Sequence, residues 1–266
     1  MRNVAIFIVI LLGGILGISW SQKESWKSLF NGENLENWDK YIGPTFPGHE
    51  ELGKTATTDN VFSVVTVDGY KMIRISGEVH GSLATKESFG NYHLRVVYKW
   101  GDKVTLERNG GLLYHGYGPL GTAFGTWMAS VECQMMHDNP GDTFLMVDSV
   151  ECSAKVKSEK GVYVYDPKAE KVRFGQRVNR RMIRKRQHAE KPLGEWNTLE
   201  LYCLGQTAVH VVNGVTVMVN EDICSCDNGS IHPLTSGRLQ LQSEGAELFI
   251  KEISIEPITE IPKTVL

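Results

Sequence analysis

The sequence predicts an all-β fold, a β-sandwich of antiparallel sheets, and three observations carry that reading. Apolar and polar residues alternate with a period of two in run after run, which is the signature of half-buried strands. Turn-forming Gly, Asn and Asp separate the runs. No segment keeps a helical period for more than two turns. The 266 residues include 27 Gly and are 41% hydrophobic, enough for one large core.

The chain opens on Arg2 and an apolar run, "VAIFIVILLGGILGI", followed by small residues at Ser19 and Ser21. A basic start, an apolar stretch too short for a span of about 20 residues and a small-residue exit describe an export signal. Residues 1–21 are therefore expected to be removed before Gln22, leaving one domain over 22–258 and a Pro-containing tail at 259–266. The mature protein is expected outside the cytoplasm, in the periplasm or beyond the cell, with no membrane span. Arg2 is the sole charge of 1–21, so the net charge of −3 becomes −4 on its removal. A mildly acidic chain has no global attraction for nucleic acid.

The strands follow in order. "YHLRVVYK" (92–99) places Tyr92, Leu94, Val96 and Tyr98 on one face. "NGGLLYH" (109–115) sets Leu113 and His115 opposite Leu112 and Tyr114. In "SVECQMMHD" (130–138), Val131, Cys133 and Met135 share one face. Glu132 and Gln134 take the other, with His137 and Asp138 just beyond. "TLELYCL" (198–204) buries Leu199, Leu201 and Cys203. "VHVVNGVTVMV" (209–219) reads as two strands about the Asn213-Gly214 turn. "RLQLQ" (238–242) buries Leu239 and Leu241 and presents Arg238, Gln240 and Gln242, and "ELFIKEISIEPI" (247–258) closes the domain. Between them, "RVNRRMIRKRQH" (177–188) is a basic stretch, read as a solvated edge or as a rim for anionic partners. It lacks interleaved aromatics, which again argues against nucleic acid. Five Cys, an odd number, match no zinc framework. Cys133 and Cys203 sit in strand alternation as small buried hydrophobes.

Six segments in order resemble one family. They are "SLFNGENLENWDKY" (28–41), "GSLATKESFGNYHLRVVYKWGDK" (81–103), "NGGLLYH", "VECQMMHD", "GEWNTLELYCLGQTAVHVVNGVTV" (194–217) and "GRLQLQSEGAELFIKEISIEPI" (237–258). The chain is identified by them as similar to the 3-keto-disaccharide hydrolase domain family. The resemblance spans about 26–258 and leaves the stretch around 155–190 unaligned. It implies a concanavalin A-like jelly roll of two antiparallel sheets, whose concave face holds an oligosaccharide or glycoside oxidised at C3. A non-catalytic carbohydrate-binding module of the same fold is the alternative.

Retaining glycosidases of this fold place two carboxylates on one strand as Glu-x-Asp-x-x-Glu. The corresponding positions here are Glu132, Gln134 and His137, so double displacement is poorly supported. A C3 ketone opens another route. It acidifies the C2 proton, so one base can drive β-elimination of the C1 substituent, and water then adds to the enone. Glu132 is the expected base, with His115 or His137 as acid or orienting group. Gln134, Asp138, Lys86 and Gln242 are expected to contact the sugar, and Trp100 to stack on it, with Trp38, Trp127 and Trp196 as further platforms. His137, Asp138, Asp142 and Asp148 offer oxygen and nitrogen donors that could hold a divalent cation such as Ca²⁺.

Overall fold

The computed structural model describes residues 26–266 apart from 176, 179 and 228. The leader-like stretch 1–21 lies outside the described residues. The elements begin with β1 (Lys27–Ser28), β2 (Trp38–Ile42) and the single-turn helices α1 (Leu52–Thr55) and α2 (Thr58–Val61). Next come β3 (Phe62–Val67), β4 (Tyr70–Ile75), β5 (Gly81–Gly90), β6 (Tyr92–Asn109), β7 (Gly111–Tyr117), β8 (Ala129–Gln134) and β9 (Thr143–Leu145). A side lobe holds β10 (Val150–Glu159), β11 (Val162–Tyr165) and β12 (Lys171–Phe174), and β13 (Met182–Ile183) follows. The chain closes with β14 (Asn197–Leu204), β15 (Thr207–Val212), β16 (Val215–Asp227), β17 (Ser230–Pro233) and β18 (Ser236–Pro257).

The pairings give a jelly-roll sandwich. One sheet runs β2–β5–β18–β7–β8–β9–β13. The opposing sheet runs β3–β4–β18–β6–β14–β15–β16, all antiparallel. The long strand β18 serves both, pairing with β5 and β7 over 236–243 and with β6 over 244–257. The distal part of β16 leaves the sandwich to pair with β10 and β17 in the side lobe. Among the described residues no helix is long and apolar enough to cross a membrane.

The core between the sheets is what strand alternation demands. Val131 and Cys133 of β8, with Met135 just past its end, are fully buried against Leu112 and Tyr114 of β7, Leu239 and Leu241 of β18, and Leu199 and Leu201 of β14. One polar network crosses this core. His210 donates through Nδ1 to the Gly141 carbonyl (3.0 Å), so its Nε2 accepts from the Tyr114 hydroxyl at 3.2 Å. Asn220 then donates to Tyr114 Oη (3.2 Å) and to Thr143 Oγ1 (2.8 Å). Each polar side-chain atom of this network has a partner, which is what makes it tolerable in an apolar interior. The Asn213-Gly214 turn has φ of 49° and 80°, the paired positive values of the tight hairpin its sequence predicts. All five Cys are buried and unbridged.

Candidate active site

The other face of β8 forms the floor of a cleft of about 480 Å³. Glu132 and Gln134 rise from β8, and Gln242 and Glu244 rise from β18 two strands away. Asn109 stands beside them at the end of β6. The loops contribute Pro44, His80, Phe124 and Trp127, with the His80 ring 5.6 Å from Trp127. Phe144 of β9 and Met182 of β13 extend the far wall.

Gly111 of β7 sits directly beneath the carboxyl of Glu132. A Cβ there would lie 2.3 Å from Glu132 Oε1 and 2.4 Å from Gln242 Oε1, so the two side chains occupy the space that any other residue would fill. Both of these oxygens are buried without a hydrogen-bond partner. Burial pushes the Glu132 carboxyl well above the usual carboxylate range, and the nearby acids Glu244 and Asp142 push the same way. Burial likewise raises Glu244 to about 8, with Glu107 adding to it. Burial thus favours the protonated form of Glu132, a carboxyl with a proton to give.

His80 is the complementary group. Its Nδ1 donates to the Pro44 carbonyl at 2.9 Å, which fixes the tautomer and leaves Nε2 as an acceptor. Its ring is held edge-on between Phe46 (4.4 Å) and Trp127 (5.6 Å). Burial lowers its pKa, opposed by the Pro44 contact, so the ring is neutral near pH 7. Gln134 spends its carbonyl oxygen on the backbone N–H groups of Met135 (3.0 Å) and Met136 (2.9 Å). Its amide nitrogen is therefore left as a donor toward the cleft.

The residues singled out from the sequence divide on this geometry. Glu132, Gln134 and Gln242 come together, and Trp127 joins them as the one sequence-named tryptophan on the cleft wall. The others lie elsewhere, each for a visible reason. His115 occupies a bulge where β7 takes one more residue than β8 between Tyr114 and Tyr117, with φ of 54°. The bulge breaks the alternation, and the ring ends fully buried against Tyr114 with neither nitrogen bonded. His137 bonds Glu190 through Nδ1 (3.1 Å) beyond the end of β8, and the Asp138 side chain is largely exposed beside it. Lys86 is exposed over a separate hollow with Lys27 and Trp38. Trp100 is buried in the main core and stacks on nothing in the cleft. The expected cation donors are divided, His137 and Asp138 grouping with Glu190 and not with Asp142 or Asp148. Asp142 is taken by Arg184 (2.7 Å) and by the Lys185 amide (2.7 Å), and Asp148 is paired with Arg181.

Two other groups of ligand-type side chains exist among the described residues, neither lining the cleft. His137, Asp138 and Glu190 form one, and Glu151, Cys224 and Cys226 the other. In the second, Arg173 already bonds Glu151 (3.0 Å) and Cys224 (2.9 Å).

The profile of the 3-keto-alpha-glucoside-1,2-lyase-like domain matches residues 25–256. The chain belongs to that family. It is thereby a carbohydrate-active jelly-roll protein. No curated protein matches the chain. Two solved structures from Parabacteroides distasonis, both provisionally described as glycosyl hydrolases, share the fold. One is 17% identical with a TM-score of 0.52 and covers 88% of this chain and 94% of its own. The other is 19% identical with a TM-score of 0.49, covering 88% and 100%.

Two titratable groups of the cleft escaped the sequence reading. Glu244 lies two residues past Gln242 on the same strand face, so the period-two count applied to "LQSEG" contains the signal. His80 comes from a loop some fifty residues before β8, and no local pattern links it to Glu132.

Proposed function

We propose that the protein cleaves 3-ketoglycosides by β-elimination, with hydration of the product completing a net hydrolysis. His80 Nε2 takes the C2 proton that the C3 ketone acidifies. The C1–O bond then breaks, its electron pair leaves with the aglycone oxygen, and Glu132 supplies that oxygen's proton. Gln134 and Gln242 donate to the enolate oxygen at C3 while charge resides there. Water adding at C1 of the enone returns a 3-keto sugar.

The observation that carries this reading is the buried carboxyl of Glu132, whose Oε1 has no partner and whose pKa burial raises, beside Gln242 on the cleft floor. It reverses the base role expected from sequence, because burial favours the protonated carboxyl, which acts as an acid. Aglycone release from a 3-ketoglucoside should fall about 10²–10⁴-fold in Glu132→Gln, with binding of the unoxidised glucoside retained. Binding of glycans with no turnover by the native protein would instead favour a carbohydrate-binding module. We further propose that the chain acts outside the cytoplasm. Mass spectrometry of the native protein should find its N-terminus at Gln22, and an intact leader would contradict export by cleavage.

A further inference from the structure

The cleft changes character across the sheet. The β18 side carries Gln242 and Glu244, whereas the β9–β13 side carries Phe144 and Met182, with Phe124 and Trp127 closing over it. The Phe124 ring lies 6.2 Å from Trp127 and 6.3 Å from Phe144, so three aromatic rings form one continuous wall. Phe124 is held at φ of 50°, a left-handed conformation that is costly for a bulky residue and that persists where the surroundings impose it. It is 56% exposed and Met182 is 37% exposed, although both are large apolar side chains with a core nearby. Arg181 backs the Phe124 ring at 5.9 Å and is itself anchored by Asp148.

Apart from His80, which adjoins Trp127 at 5.6 Å, this half of the cleft offers hydroxyl groups few partners. Phe144 and Phe124 have no polar atom, the Trp127 N–H is spent on the Gly81 carbonyl (2.9 Å), and a thioether is a weak acceptor. A second sugar placed here would leave desolvated hydroxyls unpaired, which is costly. An aromatic group would bury apolar surface against rings and polarisable methionine. We infer that the wall of Phe124, Trp127, Phe144 and Met182 is the leaving-group subsite, and that it selects glycosides with an aromatic aglycone over disaccharides. The assignment of this half to the leaving group rests on the cleavage proposed above, which puts the reacting sugar against Glu132 and Gln242.

Binding without chemistry tests the subsite separately. Calorimetry with unoxidised phenyl glucoside and with cellobiose should show at least about tenfold tighter binding of the aryl glycoside, the scale on which apolar pockets discriminate. Phe124→Ser and Met182→Gln, each checked for an unchanged melting temperature, should narrow that ratio by about fivefold. Equal binding of the two ligands, or a ratio that neither variant moves, would overturn the inference. Turnover of phenyl 3-ketoglucoside and 3-ketocellobiose reads the reaction independently. Aryl-selective binding without turnover of either sinks the proposed reaction and keeps the apolar subsite as an aryl-binding wall. Turnover of both with no aryl selectivity sinks the subsite and keeps the reaction.

Discussion

At the scale of single residues, the cleft depends on one missing side chain. Gly111 is required because Glu132 and Gln242 fill the volume where its Cβ would be. Gly111→Ala should displace both, lowering turnover by at least about tenfold and stability by about 1–3 kcal/mol through overpacking. Paired kinetic and urea-unfolding measurements check this, and wild-type turnover in the variant would contradict it. Ionisation adds a second test. His80 must be neutral to accept a proton, so activity should rise with pH through the range below 6.5, its ordinary value. Above about 8, Glu244 becomes an anion facing a developing enolate, and activity should fall. Glu244→Gln should move that alkaline limb upward in a pH–rate profile; an unmoved limb would assign it to another group. Glu132 and Gln134 were legible in the sequence because a strand's two-residue period needs only its own segment. His115 was misplaced by the same rule, since one bulged residue in β7 reverses the faces after Tyr114.

At the scale of elements, the unaligned stretch before β14 turns out to build part of the cleft. Met182 reaches it because β13 pairs with β9, and the basic segment that follows is tied down by acids rather than left as a free rim. Asp142 is the main fastening. Its side chain is 3% exposed and holds Arg184 and the Lys185 amide. Asp142→Ala should cost about 2–3 kcal/mol, toward the low end for a buried pair because Arg184 is 40% exposed. It should also make residues 181–186 more sensitive to limited proteolysis, and unchanged cleavage kinetics would show that the segment is held by other contacts. The strands themselves were readable from alternation, and the Asn213-Gly214 hairpin from its turn residues. The two-residue strand β13 was not, because its pairing is set by a partner forty residues away and by ion pairs that no local pattern records.

For the whole molecule, buried ionisable groups set how stability changes with pH. His115 and His210 are both pushed by burial to about 4, below their ordinary 6.5. The unfolded chain therefore binds protons that the folded chain refuses, and stability falls as pH drops from 6.5 toward 4. Glu132 and Glu244 act in the opposite direction. Their raised values mean that folded protein keeps protons the unfolded chain has lost, so stability declines as pH rises from about 4.5 through 8. The two effects offset each other between pH 4.5 and 6.5, so urea unfolding should be most resistant there and weaken on either side. His115→Asn, which keeps a residue tolerant of positive φ, should lessen the loss between pH 6.5 and 4.5 by about 2 kcal/mol. An acid limb unchanged in that variant would mean that other groups govern it. The sandwich was foreseeable from its alternating strands, but the sharing of β18 by both sheets was not, since the switch near Glu244 falls inside an unbroken run. That sharing has a mechanical outcome. The segment bearing Gln242 and Glu244 cannot peel from β5 and β7 without straining the ladder that continues along β6. Amide exchange along 238–257 should thus proceed only through global opening, so guests settle on an unyielding floor.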